Sequence, residues 1–398
     1  MTSDSVLIAG AGIGGLVAAL ALARRGCRVT LFDQMEKLEE AGAGIQLAPN
    51  ATRILVALGL AERLKPTIVQ PSAIRLRSGP SGSEIAVMPL DAATLGRYGA
   101  PYWVIHRADL HKALIEAVAG EPQIALALGA TVGNFTIDAV GVRATVHRGS
   151  ARGGAADYGG AALIGADGLW SYLRARLGDG TAPRFAGRSA FRAIVPAAQL
   201  SPQDREPVIN MWFGPDGHLV HYPVRAGAFV NIVAVCGDRW QSPAWNTGAK
   251  RDDVLERFPA AAWTPEARQL LAAPERWYKW ALYDREPSTS WGHGPVTLLG
   301  DAAHPMLPFL AQGASMAIED AAVLARELAR SPGDCNAALR NYETARLPRT
   351  ALVQRASRRS DFRFHLREPA AFVRDAVLRV FGGERLLTQY DWIYGWRP

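Results

Sequence analysis

An α/β fold built from three interleaved parts is predicted for this chain of 398 residues. Near the N-terminus, two short apolar strands flank a helix that begins at a glycine-rich turn, which is the pattern of a parallel βαβ unit. In the middle of the chain, short strands alternate with turn residues, which is typical of a mainly antiparallel sheet. After residue 330 the pattern is largely helical, with a break at residues 331–333. We therefore predict a βαβ-based domain, an interleaved antiparallel β-sheet domain and C-terminal helices.

The N-terminal βαβ unit carries a phosphate-binding pattern. A strand at residues 6–9 runs into the sequence GAGIGG at residues 10–15, and a second strand ends at Asp33. Glycines in this turn let the backbone approach a pyrophosphate, and the helix that follows supplies partial positive charge at its N-terminus. The carboxylate after the second strand can accept hydrogen bonds from a ribose. The unit predicts a Rossmann-like dinucleotide site; the alternative is a tight turn in an unrelated α/β fold.

Two segments follow the first unit. Residues 42–50, GAGIQLAPN, are predicted to form a glycine-rich loop before a helix. Residues 102–106 are predicted to form a strand, and Asp109 is suited to cap the helix after it. Arg107 lies at this junction, and its residue type alone leaves a surface position and a phosphate contact equally open.

The central part of the chain predicts a β-meander. A buried strand at residues 161–166 ends in Asp167, and three strands at 210–213, 218–224 and 229–235 are joined by short turns. Because side chains alternate along a strand, His218, Val220 and Tyr222 share one face, while His221 points to the other. Two titratable groups on one face can line a pocket. A single histidine on a strand is, however, more often structural, so this pattern alone does not decide the role.

The stretch GDAAHPMLPFLAQGASMAIED, at residues 300–320, follows a buried strand at 296–299 and runs into a helix predicted over about 312–328. This stretch combines an acidic residue at a strand end, a proline-containing loop and a glycine at a helix start. Such an arrangement allows backbone N–H groups to face a polar ligand. On its own this stretch only indicates a ligand-binding loop.

Composition excludes several classes of protein. Hydrophobic residues make up 49% of the chain and charged residues 20%, as in an ordinary globular enzyme. The net charge of +7 is dispersed along the chain, which favours attraction of small anions over nucleic-acid binding. Apolar stretches are too short for a membrane span, and the N-terminus shows no signal-peptide pattern. Three distant cysteines indicate unpaired thiols in a cytoplasmic protein and no metal cluster. The aromatic C-terminus at 390–396 is expected to pack on the body of the protein or on a second subunit of a homodimer.

Three motifs in order carry a family resemblance: residues 10–15, Asp167-Gly168 with Arg174, and Gly300-Asp301. Together they resemble the single-component flavin monooxygenases that hydroxylate aromatic rings, the family of para-hydroxybenzoate hydroxylase. Within it, the chain is most similar to the branch of salicylate hydroxylase, 3-hydroxybenzoate 6-hydroxylase and 6-hydroxynicotinate 3-monooxygenase. The segments that carry this likeness are GAGIQLAPN at 42–50, YWVIHRADL at 102–110, GADG at 165–168, DGHLVHYPV at 216–224, GDAAHPMLPFLAQGASMAIEDA at 300–321 and DWIYG at 391–395.

The resemblance implies an FAD cofactor, with NADH or NADPH as co-substrate. We expect an FAD-binding domain at 1–72, 99–180 and 286–330, a β-sheet substrate domain at 73–98 and 181–285, and a C-terminal helical segment at 331–398. Asp167 and Arg174 belong to a motif associated in the family with both FAD and NAD(P)H, and a purely structural role for them stays open. The residues expected to bind the cofactor are Gly10, Gly12, Gly14, Gly15, Asp33, Gln46, Arg107, Asp167, Asp301, Gly313 and Ala314.

The implied reaction is hydroxylation of a small aromatic acid of the hydroxybenzoate type, with O₂ activated as a flavin C4a-hydroperoxide. His218 is the expected base for the phenol proton, and Tyr222 is its expected catalytic partner. The expected substrate-binding residues are Tyr102, Gln312, Phe309, Val220 and Pro308. The 6-hydroxynicotinate enzyme has histidines where this chain has Gln46 and Phe309, which favours a benzoate. The alternatives are decarboxylative hydroxylation of salicylate, hydroxylation of a hydroxynicotinate-like ring, and an FAD-binding protein without oxygenase activity.

Overall fold

The computed structural model describes residues 5–38, 43–149, 154–240 and 246–398. The first glycine of GAGIQLAPN, Gly42, therefore lies outside the described residues. The strands, in chain order, are β1 (Ser5–Ala9), β2 (Arg28–Phe32), β3 (Gly44–Leu47), β4 (Ala73–Ser78), β5 (Glu84–Pro89), β6 (Trp103–His106), β7 (Ile124–Ala127), β8 (Ala130–Ile137), β9 (Val142–Arg148), β10 (Ala155–Gly160), β11 (Ala162–Gly165), β12 (Arg184–Pro196), β13 (Val208–Gly214), β14 (Gly217–Val224), β15 (Phe229–Gly237), β16 (Asn246–Ala249), β17 (Trp277–Asp284) and β18 (Val296–Leu298).

Helices connect and cover these strands. Short 3₁₀ turns occur at Gly300–Ala302 and Pro308–Leu310, on either side of the proline-containing loop. The α-helices are α1 (Ile13–Ala23), α2 (Pro49–Ala57), α3 (Ala61–Leu64), α4 (Ala92–Tyr98), α5 (Arg107–Ala119), α6 (Tyr172–Arg176), α7 (Arg251–Arg257), α8 (Pro265–Ala272), α9 (Gly313–Arg330), α10 (Cys335–Phe364), α11 (Ala370–Thr388, interrupted at Gly382 and Gly383) and α12 (Asp391–Tyr394).

A five-stranded parallel sheet forms the core of the first part, in the order β18-β11-β1-β2-β7. Its strands are nearly all apolar because both faces are covered, one by helices that include α1 and the other by the three-stranded antiparallel sheet β10-β9-β8. In the central strand, Leu7 and Ile8 are fully buried, and α1 packs against α9 on one side of the sheet. The predicted βαβ unit is therefore present, with its glycine-rich turn at the carboxyl end of β1.

An eight-stranded sheet forms the second part, in the order β16-β17-β12-β15-β14-β13-β4-β5. All of its strand pairs are antiparallel except β13 with β4. The predicted meander corresponds to β13, β14 and β15, and β14 is buried along its whole length. The α/β fold class and the mainly antiparallel second sheet are confirmed.

Two local predictions were wrong. Residues Gly44–Leu47 form strand β3, paired antiparallel with β6, where the glycine content had suggested a loop. Asp109 does not cap α5, because that helix begins at Arg107 with His106 at its N-cap. Instead the Asp109 carboxylate accepts a hydrogen bond from Arg225 Nε at 3.0 Å. Both errors come from long-range partners that override the local preference.

The C-terminal part is helical, as predicted, and its aromatic end packs onto the body of the same chain. Ile393 and Tyr394 are buried. Arg349 Nη1 donates to the carbonyl of Trp392 at 2.9 Å, and Arg53 donates to that of Trp396. No helix among the described residues is long and apolar enough to cross a membrane.

Candidate active site

A cavity of about 380 Å³ opens between the parallel sheet and the antiparallel sheet. One side, here called the cofactor wall, consists of the glycine turn after β1, strand β3, Arg107 and the segment from Leu299 to Ala317. The other side, here called the substrate wall, consists of side chains from β12, β14 and β15. Segments far apart in sequence thus face each other across one space.

Two helix N-termini point into the cofactor wall. Gly12 is the N-cap of α1 and Gln312 is the N-cap of α9, and neither helix has a side-chain cap. Gly12 and Gly14 line the cavity at α1, and Gly313 and Ala314 line it at α9. Helix N-termini carry free N–H groups and partial positive charge, so this wall is suited to an anionic ligand such as a pyrophosphate.

The glycine turn is closely packed beneath that ligand site. Gly10 has a φ of +107°, and a Cβ placed on it would lie 2.3 Å from the carbonyl oxygen of Ala166. A Cβ on Gly15 would lie 1.9 Å from the carbonyl oxygen of Gly10, which is closer than any real contact. A Cβ on Gly12 would meet no atom within 4 Å. Gly10 and Gly15 therefore hold helix and strand together, while Gly12 leaves space for a ligand. This cradle fits a dinucleotide.

Asp33 and Asp167 do not line the cavity; both hold adjacent backbone. The Asp33 carboxylate accepts hydrogen bonds from Ala11 N at 2.7 Å and from Met35 N at 2.8 Å. Asp167 accepts from Ser171 Oγ at 2.6 Å and from Leu173 N at 3.1 Å, at the start of α6. Arg174 is buried and donates to the carbonyl of Ala303 at 2.7 Å, which ties α6 to the loop after Asp301. Cofactor contacts of Asp33 and Asp167 stay predictions.

Asp301, Arg107 and Gln46 do line the cavity, as predicted for cofactor-binding residues. Asp301 is accessible from the cavity, yet protein surrounds it, and this desolvation raises the pKa of its carboxyl group. The nearby His304 and Arg107 act in the opposite direction on this pKa. A carboxylate and an arginine thus both line the part of the cavity proposed for the polar parts of a cofactor.

The substrate wall is carried by β14. His218, Val220 and Tyr222 all face the cavity, as the alternation along the strand predicted. A second, mainly apolar cavity of about 180 Å³ adjoins it and shares Gln46, His218, Val220, Pro308 and Ala311. The predicted substrate residues Tyr102 and Phe309 line this second cavity. A small aromatic molecule at the junction would lie between the cofactor wall and His218.

Gln312 lies behind the cavities and lines neither of them. Its Oε1 accepts from Asn50 Nδ2 at 3.0 Å, and Asn50 also donates to Glu319 at 2.7 Å. Arg346 Nη1 donates to Glu319 at 2.6 Å within this buried network. Within the described part of the chain, Gln312 Nε2 has no hydrogen-bond partner, so a donor stays available at the start of α9. A direct substrate contact of Gln312 stays a prediction.

The surroundings of His218 hold its imidazole in the neutral form. Burial, followed by the nearby His365 and Arg188, lowers its pKa well below the usual value. The imidazole is therefore neutral at neutral pH. Its Nδ1 lies 2.7 Å from His365 Nε2, so its Nε2 is the nitrogen available to a substrate.

The two tyrosines of the site are neutral phenols at neutral pH. Burial raises the pKa of Tyr222, and Arg192 opposes this shift. Burial likewise raises the pKa of Tyr102, whose hydroxyl donates to Gln46 Oε1 at 2.8 Å. Because Gln46 lines both cavities, this hydrogen bond holds its amide at their junction.

Arg192 is a site residue that sequence reasoning missed. It lies opposite Val233, which in turn lies opposite Val220, so strand pairing brings it to the substrate wall. Its guanidinium carbon lies 5.2 Å from the centre of the Trp280 ring. Burial and the nearby Arg107 lower its pKa to about 10, which leaves it charged at neutral pH. The signal in the sequence was Arg192 within the otherwise apolar run from Ala190 to Val195.

The comparisons with known proteins agree with this geometry. A family model described as the FAD binding domain matches residues 3–357. A 3-hydroxybenzoate 6-hydroxylase from Aquipseudomonas alcaligenes is 40% identical over 394 residues, which are 98% of each chain. The structure of salicylate hydroxylase with its substrate has a TM-score of 0.81 and 28% identity, covering 99% of this chain and 95% of that one. Klebsiella pneumoniae HpxO, complexed with FAD and uric acid, has a TM-score of 0.83 and 26% identity, covering 97% and 95%. The predicted fold and family resemblance are thereby confirmed.

Proposed function

The chain belongs to the FAD-binding family whose model spans residues 3–357, and it is an FAD-dependent monooxygenase. We propose that it hydroxylates a small aromatic acid of the hydroxybenzoate type, with NAD(P)H and O₂ as co-substrates. The observation that carries this proposal is the position of His218. A neutral buried histidine faces the junction of the two cavities, opposite the two uncapped helix N-termini.

The cofactor wall would hold FAD. In our proposal the N-terminus of α1 faces the pyrophosphate, Asp301 and Arg107 contact the polar chain of the cofactor, and the N-terminus of α9 faces the flavin ring. Bound FAD, once reduced by NAD(P)H, supplies the activated oxygen. We assign this wall to the proposed FAD-binding domain and β14 to the proposed substrate domain, with the boundaries given above.

His218 has the proposed role of removing the phenol proton. A phenolate is more electron-rich than a phenol, so its ring accepts an electrophilic oxygen more readily. Because His218 is neutral, it can take this proton on Nε2. Tyr222, whose raised pKa keeps it protonated, can donate a hydrogen bond to the phenolate or to the substrate carboxylate.

Arg192 has the proposed role of holding the substrate carboxylate. It is the cation that strand pairing places beside Val220 and Val233 on the substrate wall. Within the described residues its Nε has no hydrogen-bond partner. A carboxylate would supply that partner, and charge-assisted hydrogen bonds are the stronger ones in proteins.

Apolar side chains keep water from the junction. Met306, Leu307, Pro308 and Phe309 line one or both cavities, and Val220 closes the opposite side. Excluding water protects the activated oxygen supplied by the cofactor from breakdown to H₂O₂. The loop 305–310 thus has a chemical reason for its apolar sequence.

The test is NADH and NADPH oxidation by the purified flavoprotein with salicylate, 3-hydroxybenzoate, 4-hydroxybenzoate and 6-hydroxynicotinate. We expect 3-hydroxybenzoate to stimulate oxidation and to give a dihydroxybenzoate with little H₂O₂. This expectation takes its substrate from the 40%-identical relative. Catechol from salicylate would instead favour decarboxylative hydroxylation, in line with the structural likeness to salicylate hydroxylase. Oxidation of NAD(P)H that no aromatic acid stimulates would overturn the proposal.

We also propose that the protein is a cytoplasmic homodimer. The aromatic C-terminus no longer supports a dimer, since it packs on its own chain. Helix α11, however, exposes an apolar stripe that includes Phe372, Val373 and Val380, with Val380 79% exposed. None of the protein's three cysteines forms a disulfide bond, as expected in a reducing compartment. Sedimentation at micromolar concentration should give a dimer, and a monomer would reject this part of the proposal.

A further inference from the structure

A chain of titratable side chains leads away from the substrate wall. His218 Nδ1 lies 2.7 Å from His365 Nε2, and the two residues are 147 positions apart in sequence. His365 Nδ1 lies 3.0 Å from Asp361 Oδ1, one turn earlier on α10. His218 and His365 are 4% and 6% exposed, so both imidazoles are shielded from solvent. The three groups form a continuous path from the cavity into the protein.

The path ends at an open cleft beside the turn between β13 and β14 and the end of β15. Asp361 lines this cleft, whose volume is about 710 Å³, together with Arg188, Asp216 and Arg367. The Asp361 side chain is 25% exposed, so water can reach its carboxylate. Arg188 Nε forms an ion pair with the same carboxylate. The path therefore has one end at the substrate wall and the other at solvent.

Aromatic rings surround the inner end of the path. The ring of Phe309 lies 5.5 Å from that of His218 and 5.9 Å from that of His365, measured between centres. The ring of Phe364 lies 5.5 Å from that of His218. These rings leave the paired imidazoles as the polar connection between the cavity and Asp361.

The acceptor at the outer end sets the tautomers. His365 Nδ1 lies 3.0 Å from Asp361 Oδ1 without the alignment of a hydrogen bond. Because a carboxylate attracts a donor, its charge favours the tautomer of His365 with the proton on Nδ1. In neutral His365, Nε2 is then an acceptor, and His218 Nδ1–H donates to it. This leaves a lone pair on His218 Nε2, toward the cavity. Burial lowers the pKa of both histidines, in keeping with two neutral rings.

We propose that His365 and Asp361 are positioning residues that relay the phenol proton from His218 to the cleft. This inference deepens the proposed function, since it rests on His218 acting as the base. The phenol O–H bond breaks and an N–H bond forms at His218 Nε2. His218 Nδ1–H passes its proton to His365 Nε2, and His365 Nδ1–H passes its proton to Asp361 or to water there. The relay runs in reverse when the product phenolate takes up a proton.

The charges that face the relay come from three elements. Arg188 on β12 faces both His365 and Asp361, and it also donates to the carbonyl of Asp216 in the turn between β13 and β14. Arg367, beyond the end of α10, pairs with the Asp216 carboxylate. Arg188 therefore pairs with the Asp361 carboxylate, and its positive charge disfavours a lasting imidazolium at His218 or His365.

The first test is independent of any substrate. Nitrogen-15 NMR of histidine-labelled holoenzyme distinguishes the two neutral tautomers of each ring. We expect His218 and His365 both to carry the proton on Nδ1 at neutral pH, with assignment by His218→Gln and His365→Gln. A proton on His218 Nε2 with a bare Nδ1 would overturn the relay. This outcome is separate from the substrate panel, which tests the proposed function.

The second test uses turnover and a matched control. His365→Gln should lower kcat for hydroxylation about tenfold while KM stays unchanged, a smaller loss than for the base itself. Its rate should also rise with pH, since hydroxide can then take the proton. His221→Gln removes another buried histidine of β14 near an aspartate, but from the opposite face, and should leave the rate and the pH profile unchanged. Equal behaviour of the two variants would overturn the relay.

A third variant tests the relay independently if His365→Gln does not fold. Asp361→Asn keeps an oxygen that can accept from His365 but loses the proton acceptor at the partly exposed outer end. We expect it to bind substrate normally and to slow the appearance of the bound phenolate, followed by ultraviolet absorbance after rapid mixing. Wild-type rates of phenolate formation in Asp361→Asn would overturn the role of the aspartate.

Discussion

The two walls of the active-site cavity are built in different ways. The cofactor wall is formed mainly by backbone, at the glycine turn before α1 and at the start of α9, and each of these pieces is one short continuous segment. The substrate wall is formed by side chains of β12, β14 and β15, which meet only because the strands pair. One wall thus presents N–H groups, and the other presents His218, Tyr222 and Arg192.

This difference predicts that cofactor binding and chemistry can be separated by mutation. A side-chain change on the substrate wall leaves the backbone N–H groups of the cofactor wall in place. A change on the cofactor wall removes flavin without altering the base. The four variants below test this separation, from the largest expected effect to the smallest.

His218→Ala should retain FAD but lower product formation by about 10²-fold or more, which is the usual contribution of a general base. NAD(P)H oxidation should continue in part, with H₂O₂ in place of product. Product is measured by chromatography and flavin content by absorbance. If the variant still forms product at the wild-type rate between about pH 6 and pH 9, His218 is not the base.

Asp301→Ala should weaken FAD binding by about 10- to 100-fold, because a hydrogen bond to a charged group contributes roughly 1.5 to 3 kcal/mol. The matched control is Asp301→Asn, which keeps an acceptor oxygen and should lose less flavin. Flavin retention is measured by ultrafiltration and fluorescence. Full occupancy and an unaltered visible spectrum in the alanine variant would contradict a cofactor contact of Asp301.

Arg192→Met should raise the KM for the aromatic acid roughly tenfold, since it removes the charge proposed to hold the carboxylate. Flavin content should not change, because Arg192 belongs to the substrate wall. Arg192→Lys keeps the positive charge but lacks the planar guanidinium group, and it should give an intermediate KM. An unchanged KM together with lost flavin would place Arg192 with the cofactor instead.

His221→Gln should affect stability, with activity within about twofold of the wild type, since His221 lies on the face of β14 away from the cavity. Burial lowers the pKa of His221 to about 3, so between that value and its usual pKa the unfolded chain binds one more proton. The free energy of unfolding therefore falls as pH drops below about 6.5, by at most about 1.4 kcal/mol per pH unit for this group.

The variant lacks this titrating group, so between about pH 7 and pH 5 it should lose less stability than the wild type. Trp212 Nε1, which lies 3.4 Å from His221 Nδ1, can donate to the glutamine oxygen instead. Urea unfolding at the two pH values measures the difference. The same pH dependence in both proteins would show that His221 takes up its proton over the same pH range in the folded and the unfolded chain, against the lowered pKa.

Local patterns were sufficient for the elements that depend on nearby residues. The βαβ unit, the meander around β14 and the helix after residue 312 follow from apolar periodicity and turn residues. The common face of His218, Val220 and Tyr222 follows from alternation along one strand. Strand β3 was missed because its glycines indicate a loop until β6 is placed beside it.

The sequence by itself determined the family and the two backbone pieces of the cofactor wall, the glycine turn before α1 and the start of α9, because each piece is one short continuous segment whose geometry is local. Only the tertiary structure brought His365 to His218 and Arg192 to Val220. It also showed that Asp33 holds the glycine turn through Ala11 and that Gln312 is bonded to Asn50, 262 positions away. Contacts of this kind depend on strand pairing and helix packing across the whole chain, and no short pattern of residues encodes them.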